Sequence, residues 1–174
     1  MKTSVRALAI LAAAGLAACA TLRTTADYDR SVDFSKYRTY KWIDTGDLPE
    51  NSIVAKRLTS AVDRQLRAKG LAPAEPADLL VAMHARLSRQ LVYHSEALGW
   101  GYGRGWWRGN VVYTRPQEIP VGTMVVDLVD ARTDELVWRG VARRVLDPTA
   151  SIEEKERDAD ESASRLFESY PPPR

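Results

Sequence analysis

Two histidines and one cysteine are the residues with the widest chemical repertoire in this 174-residue chain. His84 and His94 fall in or just beyond Asp78 to Tyr93, a run that alternates like a strand. Ten residues at about 3.3 Å each separate the two by about 33 Å if that strand is continuous. They then cannot ligate one metal ion without a fold-back. Cys19 lies in the leader described below, so a Cys-His nucleophile pair is excluded. A Ser-His-Asp site has to draw on His84 or His94 with a serine that no Gly-x-Ser-x-Gly elbow marks, and no phosphate-cradling or dinucleotide-type glycine loop precedes a helix. Asp127 and Asp130 suggest paired carboxylates or a weak cation site by their spacing. Their strand parity is opposite, so they need not converge, and Asp130 reads as a turn former. No catalytic residue, metal ligand or cofactor site is assigned.

Contact chemistry is better represented. The segment Gly99-Trp100-Gly101-Tyr102-Gly103-Arg104-Gly105-Trp106-Trp107-Arg108-Gly109 is too rich in glycine to build a core by itself, because ordering glycine costs the most entropy. Trp100, Tyr102, Trp106 and Trp107 beside Arg104 and Arg108 are residue types that dock at interfaces, stack on sugar rings or settle among lipid headgroups. Two readings stand side by side. In one, a loop between strands touches an envelope protein, a glycan or a membrane; in the other, the rings fold back over the sheet.

Cys19 carries a different chemistry. Met1 to Arg6 hold Lys2 and Arg6 and no acid, and they lead into an apolar run from Ala7 to Ala18. That is the layout of an export signal. A spanning helix needs about 20 apolar residues, and this run is shorter. Leu16-Ala17-Ala18-Cys19 resembles the lipobox of bacterial lipoproteins, which implies acylation of the Cys19 thiol and cleavage between Ala18 and Cys19. Each buried methylene contributes about 0.8 kcal/mol, and two chains make an anchor that one cannot. Ala20, rather than Asp, follows the cysteine, which by the same resemblance implies outer-membrane sorting with the domain facing the periplasm.

Removing residues 1–18 leaves about 156 residues, the usual size of one domain. The formal charge of +2 is carried by Lys2 and Arg6 of the leader, so the remaining chain is balanced and its charge gives no reason to expect nucleic acid as a partner. With its single cysteine taken by lipid, the domain forms no disulfide, and packing must hold it together.

The positioning elements follow from periodicity. Tyr37 to Ile43 alternates aromatic and polar residues as a half-buried strand. Val54, Leu58, Ala61, Val62 and Leu66 recur at helical spacing between Asn51 and Lys69, and Gly70 is placed to close that helix in a left-handed conformation. Leu79, Val81, Met83, Ala85, Leu87 and Leu91 share one parity of the long strand. Val111–Thr114 reads as a short strand and Gly122–Asp130 as a longer one, turning at residues 131–135 into Leu136–Ala142 as a hairpin. Ser151-Ile152-Glu153-Glu154 is a capping-box pattern for a helix whose apolar stripe runs from Ala159 to Tyr170, stopped by Pro171-Pro172-Pro173. The expectation is an α+β domain, a mainly antiparallel sheet with two helices packed on one face. Its parts are a signal peptide at 1–18, a lipidated tether at 19–27, the domain at 28–170 and an extended tail at 171–174.

Tyr37-Arg38-Thr39-Tyr40-Lys41-Trp42, Lys69-Gly70-Leu71, Ala77-Asp78-Leu79-Leu80-Val81 and Leu136-Val137-Trp138-Arg139-Gly140, in this order behind a lipobox, are similar to the bacterial lipoproteins grouped as domain of unknown function 4136. The resemblance covers nearly the whole chain after the leader, and it implies location and fold without an activity. The expected function is a membrane-anchored, non-catalytic binding or scaffold domain of the cell envelope, held through acylated Cys19 and touching a protein or glycan through the Gly/Trp loop. The alternatives are an accessory or regulatory subunit of a cell-wall or outer-membrane assembly machine, and a periplasmic hydrolase.

Overall fold

In the computed structural model, which describes residues 22–46, 52–98 and 111–172, the strands are β1 (Leu22–Tyr28), β2 (Thr39–Trp42), β3 (Ala72–Pro73), β4 (Leu79–Leu98), β5 (Val111–Asp130) and β6 (Glu135–Val145). The long helices are α1 (Ile53–Ala68) and α2 (Ile152–Phe167), and a single 3-10 turn spans Phe34–Lys36. One six-stranded sheet has the order β1-β6-β5-β4-β2-β3. Its four longest strands pair antiparallel, while β2 pairs parallel with both β4 and β3. The α+β class holds.

Both helices begin on side-chain caps. Ser52 Oγ accepts the Ala55 N–H at 3.0 Å, and Ser151 Oγ accepts the Glu154 N–H while Glu154 returns to the Ser151 N–H, completing a capping box. α1 ends at Gly70, whose φ of +85° suits glycine, with Leu71 donating back to the Leu66 carbonyl at 3.0 Å. Helical spacing gives each helix one buried stripe: Ala55, Ala61, Val62 and Leu66 on α1, and Ala159, Ala163, Leu166 and Phe167 on α2.

These stripes cover one face of the sheet. Leu79, Val81 and Met83 of β4, Met124, Val126 and Leu128 of β5, and Trp138 and Ala142 of β6 lie in register on that face and are buried. A fully buried side chain of this kind contributes about 1.5–3 kcal/mol. The Trp138 ring stacks on Phe167 at 5.2 Å between centroids, and Tyr170 meets it edge-on. Gly140 lets helix and sheet come this close, because a Cβ there would lie 2.3 Å from Trp138 and 2.6 Å from Leu166.

Four expectations need correction. Residues 22–27, expected to belong to a tether, are part of the sheet: Leu22–Tyr28 pairs along β6 as an edge strand, where exposed polar residues suffice and no apolar signal is required. Val111–Asp130 is one continuous strand through Pro116 and Pro120, not two. The Pro120 carbonyl faces β6, where it accepts from Leu146, so its ring takes the place of an N–H that points away from β4; Pro116 has the same parity. β4 runs on to Leu98, and β3 adds a two-residue strand inside the connector after α1.

Candidate functional site

Strand lengths leave part of the sheet without neighbours among the described residues. β4 and β5 stay paired from Leu79↔Asp130 to Leu98↔Val111, but β6 ends opposite Val121, with Leu146 adding one bond to the Pro120 carbonyl at 2.9 Å. On the other side, cover beyond β2 stops at Ile43 and Thr45, which donate to the Val81 and Met83 carbonyls, each at 2.9 Å. Among the described residues, Gln90–Leu98 and Val111–Ile119 therefore pair only with each other. They form a two-stranded arm about 30 Å long. Leu87 and Leu91 share the parity of Leu79 yet are 67% and 58% exposed, because the helices do not reach them. A ribbon of two strands is marginally stable in water without a third layer.

The sheet face away from the helices carries the charge. Asp127 is 5% exposed and accepts from Arg139 Nε and Nη2 at 2.7 and 2.6 Å. His84 Nε2 lies 3.8 Å from the same carboxylate. Toward the arm, the next rows in register are His84-Val125-Val141-Thr25 and then Arg86-Thr123-Arg143-Arg23. Arg23, Arg86 and Arg143 are exposed, and among the described residues no carboxylate pairs with them.

The acids on the helix side are used as fasteners. Asp130 accepts from Lys36 Nζ at 2.8 Å, Tyr37 Oη at 2.9 Å, and the Arg132 and Thr133 amides at 2.9 and 3.2 Å. Lys36 above all holds its carboxyl well below the usual carboxylate range. Asp78 takes the Arg38 and Thr39 amides at 2.8 and 2.9 Å, and these bonds, with Arg38 foremost, lower its pKa too. Tyr40 Oη and Trp42 Nε1 both donate to Asp63 of α1 at 2.8 Å. Burial and the Asp63 bond push the Tyr40 phenol up to about 12.

Two open cavities lie among the described residues near these side chains. One of about 390 Å³ lies between Trp42–Thr45, the start of α1 and Met83; the other, of about 410 Å³, is lined by Lys36, Tyr37, Asp78, Asp130 and Arg132. In the second, Lys36, Asp78 and Asp130 already have partners, while Arg132 contributes only its backbone amide to these bonds. His84 and Asp127 line neither cavity, and both Asp127 oxygens are engaged by Arg139. Asp127 and Asp130 sit on opposite faces and share no site. His84 and His94 stand ten residues apart on one continuous strand. Among the described residues no cluster of three or more His, Cys, Asp or Glu can hold a metal ion, and no helix is long and apolar enough to cross a membrane.

Ala18 and Cys19, and Trp100, Tyr102, Arg104, Trp106, Trp107 and Arg108, lie outside the described residues. The strands flanking the Gly/Trp segment are those of the arm. Sequence reading missed the exposure of Leu87 and Leu91 and the arginine row. The signal available was length, since an alternating run reaching from residue 78 to 93 is longer than the strand expected at Leu136–Ala142.

Residues 24–172 match the family described as Domain of unknown function (DUF4136). No curated protein matches the chain. Among solved structures, a PDZ domain protein from Parabacteroides distasonis superposes with a TM-score of 0.54 at 14% identity, over 88% of this chain and 36% of that one. The chain thus spans about a third of that protein's length, and the likeness is one of fold. A PelC dodecamer from Paraburkholderia phytofirmans aligns at 12% identity over 84% of this chain and 94% of that one, with a TM-score of 0.48.

Proposed function

The chain belongs to the DUF4136 family, and from that premise we propose that it is a lipid-anchored, non-catalytic binding or scaffold domain of the bacterial cell envelope. Acylated Cys19 holds it on the outer membrane facing the periplasm, and the β4–β5 arm is its contact element. One observation carries this reading: among the described residues the arm leaves the core with no strand along either edge, and Leu87 and Leu91 are exposed on one face. An uncovered ribbon with apolar side chains gains stability when a partner supplies the missing layer or strand. The Gly/Trp segment, with Trp100, Trp106 and Trp107, is part of the same contact and reaches a protein or a glycan. The Asp127, Asp130 and Asp78 networks support a non-catalytic reading, because their carboxylates serve ion pairs and turns.

Site-specific photo-cross-linking in living cells tests this. A photoreactive residue at Leu91 is expected to give discrete adducts, and one at Glu156 on the outer side of α2 is not. Adducts that are absent at Leu91, or identical at the two positions, overturn the assignment of the arm as the contact.

A further inference from the structure

We infer that the open face of the sheet lies on the anionic surface of the membrane, with Arg23, Arg86 and Arg143 against lipid phosphates. The inference rests on the lipid anchor proposed above and adds an orientation to it.

Its first support is chain length. β1 begins at Leu22, and the three residues from Cys19 span at most about 10 Å. Leu22 pairs with Arg144, which stands opposite Gly122, so β1 starts at the end of the sheet from which the arm projects. An anchor at that end and an arm reaching about 30 Å past it cannot both be satisfied by standing the sheet upright on the bilayer. The arm would then enter hydrocarbon with the N–H and C=O groups of two free edges unpaired, at several kcal/mol for each group. The strands must run along the surface, with one face of the sheet turned to it.

Charge and thickness choose the face. The helix side is covered by elements about 10 Å thick, and its charges are balanced: the acids of α2 stand with Lys155, Arg157 and Arg165, while α1 brings Lys56, Arg57, Arg64 and Arg67 against Asp63 alone. That surface offers anionic headgroups no net attraction. Among the described residues no such layer covers the open face, and its row nearest the proposed anchor is Arg86-Thr123-Arg143-Arg23. Arg143 and Arg23 are directly opposed, a like-charge pair that destabilises a sheet unless an anion lies between them. On the same face the carboxylate of Asp127 is neutralised by Arg139, which leaves Asp27 two rows away as the remaining acid of β1. Each arginine at an anionic surface is worth roughly five-fold in binding.

The acylated full-length mature chain, reconstituted in vesicles, provides the test. A fluorophore on Thr123→Cys, or on Thr25→Cys should the first variant fold poorly, is read against one on Glu156→Cys, with a quencher carried on the lipid headgroup. Quenching at Thr123 or Thr25, but not at Glu156, is expected in vesicles of phosphatidylcholine with phosphatidylglycerol. It should fall away in phosphatidylcholine alone, in high salt, and when Arg23, Arg86 and Arg143 are all changed to Gln. Equal quenching on both faces, no dependence on phosphatidylglycerol, or no effect of the triple substitution overturns the inference. Flotation with vesicles in high salt reports the anchor separately. Loss of flotation refutes the lipid anchor, whereas flotation with unoriented quenching refutes the arginine face alone.

Discussion

Asp130 receives four hydrogen bonds, from Lys36, Tyr37 and the amides of Arg132 and Thr133, with its side chain 6% exposed. These bonds tie the β5–β6 turn to the 3-10 turn before β2, so a residue that pairs with Asp127 in sequence has a different task in space. Because Lys36 foremost holds the folded-state pKa below the ordinary carboxylate value, Asp130 contributes stability that is fully present above its unfolded pKa of about 3.9. That stability is lost as pH falls through the folded value. Asp130→Asn keeps the size of the side chain but loses the charge and turns one acceptor into a donor facing Lys36. A loss of about 1–3 kcal/mol at neutral pH is expected, with a flatter decline of stability on the acid side than in the wild type. Urea unfolding at neutral and acidic pH measures both, and parallel pH curves for the two proteins would refute the assignment. Tyr37, raised to about 12 by burial, stays a hydrogen-bond donor throughout that range.

Strand length, more than residue identity, separates core from arm. Met83 and Leu91 share one parity of β4, but Met83 lies under α1 and is buried, while Leu91 lies past the last strand that could flank it. Periodicity shows which residues share a face, and it cannot show where the covering layer stops. The capping box at Ser151, the glycine closure at Gly70 and the Leu79–Met83 stripe were legible for that reason: each is fixed by neighbours a few residues away. Local pattern gives β1 the look of a tether and encodes no parallel partner for β2, because long-range pairing decides both. The resemblance motif Tyr37–Trp42 is also explained at this level, since Tyr37, Tyr40 and Trp42 fasten β2 to Asp130 and Asp63. Among the described residues, none between 89 and 92 or between 116 and 120 belongs to the main core. Excising Arg89–Pro120 and joining Ser88 to Val121, an in-register pair, through Asn-Gly makes a two-residue hairpin. The shortened protein is expected to unfold thermally within a few degrees of the parent, a ΔΔG of about 1 kcal/mol or less, while losing any adduct made by the parent's arm. A loss of the cooperative transition would show that the arm is structural.

At the scale of the whole molecule, the two faces of the sheet present different surfaces. The helix side holds the aromatic core of Trp138, Phe167 and Tyr170 under an acidic α2, and the other side holds exposed arginines. Under the proposed anchoring through Cys19, at the end from which the arm leaves, the membrane and a partner would be engaged on opposite faces, with Leu87 and Leu91 pointing away from the lipid. All of this depends on the Cys19 thiol, for which serine is a near-isosteric substitute that cannot form the thioether. Arginine contacts alone are screened by salt within about 8–10 Å, whereas two acyl chains at about 0.8 kcal/mol per methylene are not. Cys19→Ser is therefore expected to leave the chain unprocessed or released in soluble form, to abolish labelling by a fatty-acid analogue, and to make residual membrane association salt-sensitive. Metabolic labelling and salt washing of membranes distinguish the contributions. Persistent labelling of the serine variant would show that the lipid is attached elsewhere, and the geometric argument from Leu22 would fall with it.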